Sequence, residues 1–204
     1  MRQGPFRAIL PLVLASASPR RQAILATQGL CFEVIPSSVK EPLAASGESP
    51  EDYAARMACL KGQDIAGRHP DKIVISADTI VVQGGTILGK PRNVAHALDM
   101  LASLSGGWHE VMTGFCVLHA HRQVSHCRTV TTRVHMAANT PDMLAAYVAT
   151  GEPMDKAGAY GLQGAGGVFV RRVEGDPSAV IGLPLSLLRE MILQAGKTLP
   201  KEKL

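Results

Sequence analysis

Aromatic residues are scarce: only 4% of the 204 residues are Phe, Trp or Tyr, with a single Trp. That argues against a base-stacking surface of the kind single-strand nucleic-acid binders use. No stretch approaches the ~20 consecutive apolar residues that a membrane span requires. The four cysteines, Cys31, Cys59, Cys116 and Cys127, lack CxxC or other metal-ligand spacing. They read as reduced thiols in core or strand segments of a cytoplasmic protein. No nucleophile-elbow motif is present, and Gly161-Leu-Gln-Gly164-Ala-Gly-Gly167 lacks the Lys-Ser/Thr ending of a P-loop. Arg2, Arg7, the apolar run Ala8 to Ala15 and the triplet Ala15-Ser16-Ala17 mimic a secretory signal. The run is short, contains Pro11 and leads straight into a helix start at Ser18, so no leader is expected.

The chain is 46% hydrophobic and 19% charged, the balance of a soluble α/β protein with a largely aliphatic core. With no repeat and no low-complexity linker, residues 1–204 read as a single domain. The net charge of +4 is dispersed rather than gathered in a stripe, which suits small anionic ligands better than nucleic acid.

The chain opens with a βαβ pattern. Leu12-Val-Leu is an apolar run, Ser18 an N-cap, Pro19 a first-turn residue and Gly29 a stop, and Cys31 to Ile35 is a second strand. A loop containing Glu41 leads to a second helix, capped at Ser49 and running to Gly67. Ile73 to Val82 is a strongly β-forming run, and Gln83-Gly-Gly-Thr86 is a hairpin turn after which Ile87 to Pro91 returns antiparallel, with Thr79 opposite Lys90. Asn93 caps a helix to Leu104. Strands follow at His109 to Leu118 and Val124 to Met136, then a helix from Thr140-Pro141 to Gly151. A glycine-rich loop from Ala157 to Gly167, a strand from Val168 to Val173, a helix from Pro184 to Ala195 and a charged tail complete the chain. His119 and His121 share strand spacing without a third ligand nearby, and a pair of surface histidines beside a turn is the simpler account.

Two features stand out chemically. Arg20 and Arg21 fall in the first turn of a helix, where the macrodipole favours anions and two guanidiniums repel each other. A solvated basic helix end explains such a pair; so does a bound phosphate, gathered by backbone N–H groups, the Ser16 and Ser18 hydroxyls and both guanidiniums. Asp78 interrupts an apolar strand, and a buried carboxylate requires a strand bend, neighbouring cations or a metal. Lys61 lies about 40° around its helix from the apolar Met57, so it either snorkels to water or points into a cleft. With Lys90 and Glu41, these residues make an inventory suited to phosphoryl chemistry: cations to neutralise phosphate, carboxylates to hold a hard cation and to orient water.

The stretches Leu14-Ala-Ser-Ala-Ser-Pro-Arg-Arg21, Ser76-Ala-Asp-Thr79, Leu88-Gly-Lys-Pro91, Gly151-Glu-Pro-Met-Asp-Lys-Ala-Gly-Ala-Tyr-Gly-Leu-Gln-Gly164, and Glu174-Gly-Asp176 with Gly182-Leu-Pro184 occur in that order along the chain. Together they closely resemble the Maf family of nucleoside triphosphate pyrophosphatases over nearly the whole chain. The resemblance implies an α/β fold, a mixed β-sheet flanked by helices with a cleft between two lobes, related to the inosine-triphosphatase-like fold. It implies hydrolysis between the α and β phosphates with Mg²⁺ or Mn²⁺. Asp78 matches the water-activating acid, Ser16, Arg20, Arg21, Lys61 and Lys90 the phosphate-facing set, and Glu41 a metal-holding position beside Asp78. Ser105-Gly106-Gly107-Trp108-His109 and Asp176-Pro177-Ser178-Ala179 depart locally from the family pattern. The segment from Glu152 to Gln163 looks like the dTTP/UTP branch, with Thr79, Arg20 and Gln163 setting selectivity; the Gln163 amide can pair with the N3–H and a carbonyl of thymine or uracil. The expected partner is a small-molecule nucleotide, without nucleic acid or membrane, and a homodimer is compatible with this reading. A nucleotide-binding regulator of cell division, inhibiting septum formation without significant turnover, is the alternative that the family also implies.

Overall fold

The computed structural model describes residues 10–196. The signal-like start before Leu10 and the charged tail after Gly196 lie outside the described residues. Helix caps set the first elements. Strand β1 (Leu12–Leu14) leads to α1 (Pro19–Thr27), where Ser18 accepts a hydrogen bond from the Arg21 amide, and β2 (Phe32–Val34) then pairs parallel to β1. Ser49 caps α2 (Pro50–Arg68) by accepting from the Asp52 amide. Strand β3 (Ile73–Gln83) and β4 (Thr86–Leu88) form the hairpin, and α3 (Val94–Leu104) is capped by Asn93. The long strands β5 (Trp108–His119) and β6 (Val124–Met136) are followed by α4 (Pro141–Ala149), β7 (Val170–Glu174), α5 (Pro177–Ile181) and α6 (Leu185–Gly196). The sheet order is β2-β1-β3-β5-β6-β7, with β4 on β3; β1, β2 and β3 run parallel and the rest antiparallel.

Alternation along β3 and β5 assigns the two faces. Leu12, Leu14, Ile73, Ile75, Ala77, Phe115 and Val117 pack against α1 and α6. Farther along the same face, Val81 and Val111 pack with Leu101 and Leu104 of α3 and Leu144 and Val148 of α4. These two apolar clusters meet at a polar seam. Thr79 and Thr113, cross-strand neighbours, share a hydrogen bond of 2.9 Å, and the Thr113 hydroxyl donates to the Ala179 carbonyl of α5 at 2.7 Å. That seam divides the molecule into two lobes. On the opposite face α2 lies across the sheet, admitted closely by Gly114 and Gly62: a Cβ on Gly114 would sit 2.0 Å from the Ala54 carbonyl oxygen, and one on Gly62 would sit 2.6 Å from Ser76 Oγ.

Several expectations are corrected. The return strand β4 ends at Leu88, short of Lys90, because the Gly89 carbonyl turns to accept from the Gly158 amide at 3.1 Å. Val168 and Phe169 belong to a 3-10 turn (Ala165–Phe169), so the last strand begins at Val170. His119 is buried at the end of β5 while His121 is exposed in the 3-10 turn Ala120–Arg122, so the two do not share a strand face. Cys116 and Cys127 are not free thiols. The β5–β6 register sets them directly opposite each other, with Cα atoms 4.2 Å apart, and they form a disulfide. Cys31 and Cys59 remain thiols. No helix among the described residues is long and apolar enough to cross a membrane.

Candidate active site

On one edge, β3 pairs with β1 through Ile75 and with β4 from Val81. Residues Ser76 to Ile80 are spanned by neither, while β5 pairs continuously along the other edge. Through that gap side chains from both faces of one strand reach a common cleft of about 380 Å³. It lies beyond the carboxyl end of β1, where ligands of open α/β sheets characteristically bind. Asp78, pointing toward α2, and Thr79, pointing toward α1, both line it.

Asp78 needs no bulge or strand end. It sits within continuous pairing, opposite Gly114, and is 9% exposed. What compensates the burial is Lys61, whose ammonium donates to Asp78 Oδ1 at 2.6 Å and pairs with Glu41 Oε1 at 2.7 Å. The lysine therefore points into the cleft rather than out to water, and it draws two acids far apart in sequence to one point. Burial by itself would raise the Glu41 carboxyl, but the hydrogen bond and charge of Lys61, with Lys90 and Arg21 nearby, outweigh it and hold the group below the usual glutamate range.

The paired arginines separate. The Arg21 guanidinium is held from three elements: Nε donates to the Gly182 carbonyl at 2.8 Å, Nη1 to Ser16 Oγ at 3.2 Å and Nη2 to Thr79 Oγ1 at 3.1 Å. Burial pulls its pKa down, opposed by the charge of Asp78. Arg20 swings the other way and donates to Asp155 Oδ2 at 3.0 Å, across the cleft. Mutual repulsion in one helix turn is relieved because each guanidinium has its own acceptors. Ser16 is 7% exposed and does not line the cleft; it accepts from both Arg21 and the Ser18 amide. Lys90 and Gln163 line the wall opposite α1.

Three residues at that wall were marked in the sequence only by their place in the family-like segment from Glu152 to Gln163. Asp155 accepts from Arg20 and also from the Lys156 ammonium at 2.7 Å, and these partners outweigh burial to lower its pKa. Lys156 is 8% exposed and also donates to the Glu152 carbonyl. Tyr160 lines the cleft, and its hydroxyl shares a 2.7 Å hydrogen bond with His109 Nε2 in the core beneath. Burial pushes the Tyr160 hydroxyl up and, with the charge of His135, pulls His109 down to about 4, so the ring is neutral at pH 7. Five cationic side chains (Arg20, Arg21, Lys61, Lys90, Lys156) and three carboxylates (Glu41, Asp78, Asp155) line the cleft. The excess favours a multiply charged anion.

An α/β protein with a cation-rich cleft at the carboxyl end of its first parallel strand is one built to hold an anionic ligand. The Maf-like protein family profile matches residues 11–195, and the chain belongs to the Maf family. It is similar to the dTTP/UTP pyrophosphatase of Oleidesulfovibrio alaskensis, 45% identical over 198 residues that cover 97% of this chain and 90% of that protein. The dTTP/UTP pyrophosphatase of Desulfotalea psychrophila is 47% identical over 188 residues, covering 92% and 96%. That of Thermococcus kodakarensis is 46% identical over 178 residues, covering 87% and 93%.

Proposed function

We propose that this protein is a nucleoside triphosphate pyrophosphatase, a single-domain cytoplasmic enzyme that hydrolyses dTTP and UTP to the monophosphate and pyrophosphate. The names of relatives that span most of the chain support the reaction. The observation that carries it is the convergence of Asp78 and Glu41 on Lys61 within a cleft ringed by Arg20, Arg21 and Lys90. A nucleotide-binding regulator needs the cations alone. Asp78 is buried and Glu41 stands more open beside it, and acids set opposite an anionic ligand are unfavourable unless they act on the reaction or hold a cation.

Asp78 and Glu41 fit a divalent cation. Their contacts with Lys61 use one oxygen of each carboxylate, and oxygen donors of this kind suit Mg²⁺ or Mn²⁺ completed by substrate phosphates. When bound, the cation would offset phosphate charge. Arg20, Arg21, Lys61 and Lys90 hold the triphosphate and stabilise charge as the leaving pyrophosphate departs, and Ser16 keeps Arg21 aimed. Asp78 orients a water for attack and accepts its proton, and Lys61 holds the Asp78 carboxylate in position for that role. At the other wall Gln163 offers a donor and an acceptor to the pyrimidine edge, and Thr79 and Arg20, on the facing side of the cleft, complete the selectivity set. Pyrophosphate release measured across a panel of triphosphates tests the proposal. Release from dTTP and UTP, slow release from CTP and loss of activity on chelation are the expected results. No release from any triphosphate would leave the binding regulator.

A further inference from the structure

Away from the cleft, on the face of the sheet that α2 covers, three sulfurs come together. Cys116 is fully buried on β5, Cys127 faces it from β6, and Cys59 reaches down from α2; the three Sγ atoms lie within 4.8 Å of one another. Cys31, exposed, is not part of the group. The phosphate chemistry of the cleft uses none of them. Their surroundings are the apolar Val13, Ala58, Ile65, Val74 and Leu118, with the buried Ser76 hydroxyl opposite Cys116 committed to the Ala58 carbonyl.

We propose that Cys59, Cys116 and Cys127 form a redox-gated site for one thiophilic cation of the Zn²⁺ and Cd²⁺ class, closed by the Cys116–Cys127 disulfide and opened by a dithiol reductant. Opening is thiol–disulfide exchange. The reductant's two thiols supply two electrons and two protons, become a disulfide themselves, and leave Cys116 and Cys127 as thiols. Capture of a divalent cation then replaces three S–H bonds with three S–metal bonds and releases three protons.

The geometry suits this. Tetrahedral thiolate sites have metal–sulfur bonds of about 2.3 Å, which separates sulfurs by roughly 3.8 Å. Cys59 Sγ lies within 4.8 Å of both other sulfurs, and once the disulfide opens the Cys116 and Cys127 side chains, on directly opposed residues, are free to rotate toward that spacing; all three are held by a helix and two strands rather than by loops. Cys59 and Cys127 are partly exposed, which gives a path for entry and room for a water as fourth ligand. Soft sulfur donors discriminate against Mg²⁺ and Mn²⁺, so this site and the cleft do not compete for the same ion. A reducing compartment favours the open form. Since Cys59 precedes Lys61 by two residues on α2, an ion held here ties the helix bearing Lys61 to β5 and β6.

The test is a Cd²⁺ titration of the full-length protein, reduced with dithiothreitol and desalted anaerobically, followed by the ultraviolet thiolate-to-metal charge-transfer band. Wild type should saturate at one Cd²⁺ per chain. Air-oxidised protein should show no band until reduced again. Cys59→Ser should weaken binding at least about tenfold, whereas Cys31→Ser should titrate like wild type. A Cys59→Ser variant that binds as tightly as wild type, or reduced wild type without the band, overturns the proposal.

Discussion

The two ends of the cleft are built differently. The end proposed to face phosphate hangs mostly on regular elements: Arg20 and Arg21 on the first turn of α1, Lys61 on α2 and Asp78 and Thr79 on β3, with Lys90 and Glu41 on loops. The end proposed to face the base, from Glu152 to Phe169, is a chain of 3-10 turns, and its shape depends on side chains that bond back into the core. Tyr160 leans on His109, Lys156 on Glu152 and Asp155, and the Glu152 carboxylate accepts from the Ala165 and Gly166 amides. A secondary-structure ladder holds its side chains by many equivalent bonds, whereas a turn network fails when one buried partner is removed. We therefore expect the proposed chemistry at the first end and discrimination between related ligands at the second.

Removing chemistry at the ladder end should have the largest effect. Asp78→Asn keeps the shape of the side chain while removing its charge and basicity, and turnover should fall by about a thousandfold or more. Pyrophosphate release and far-ultraviolet circular dichroism together check this; near-normal rates with native structure would reassign Asp78.

The turn end should show its dependence on a buried partner through pH. Burial lowers the His109 pKa to about 4 in the fold, from the ordinary imidazole value of 6.5 that the unfolded chain keeps. The unfolded chain therefore binds the extra proton first. The contribution to stability is intact above pH 6.5 and declines as pH falls toward 4, by roughly 3 kcal/mol in total. Urea unfolding of wild type and His109→Gln across that interval measures it, and the variant's profile should be flatter by this amount.

Asp155 joins the two ends, since it accepts from Arg20 of α1 and from Lys156 of the turn region. Asp155→Ala frees Arg20 without touching Asp78, so KM for dTTP should rise about tenfold with kcat changed far less. Equal losses in both parameters would place Asp155 in the chemical step. Gln163→Ala should have the smallest effect. Its dTTP rate should fall modestly while the preference over CTP shrinks severalfold, an outcome read from kcat/KM for the two nucleotides side by side.

How far the sequence reached follows the same division. Ser18, Ser49, Asn93 and Thr140 could each be read as N-caps because a cap acts within three residues, and each accepts the expected amide. The βαβ opening and the β3–β4 register were legible for the same local reason. Helix α5 escaped notice because five residues carry no period, although Asp176 caps it through the Ser178 and Ala179 amides. Of the proposed site, the residue types were legible and their partners were not. Nothing local says that Ser16 turns inward to Arg21, or that Asp155 crosses the cleft to Arg20.

The sequence by itself determined where the capped helices start, which faces are apolar, and which charged residues interrupt them, since each depends on neighbours a few positions away. Only the tertiary structure decided that β1 and β4 leave a gap beside Asp78, that Lys61 spans it to join Glu41, and that Cys116 meets Cys127 with Cys59 above them. Those are matters of strand register and helix placement. Both are fixed by the packing of residues distant in the chain: Gly114 and Gly62 let α2 settle close to the sheet, and the burial this permits outweighs the cost of setting Asp78 beneath it.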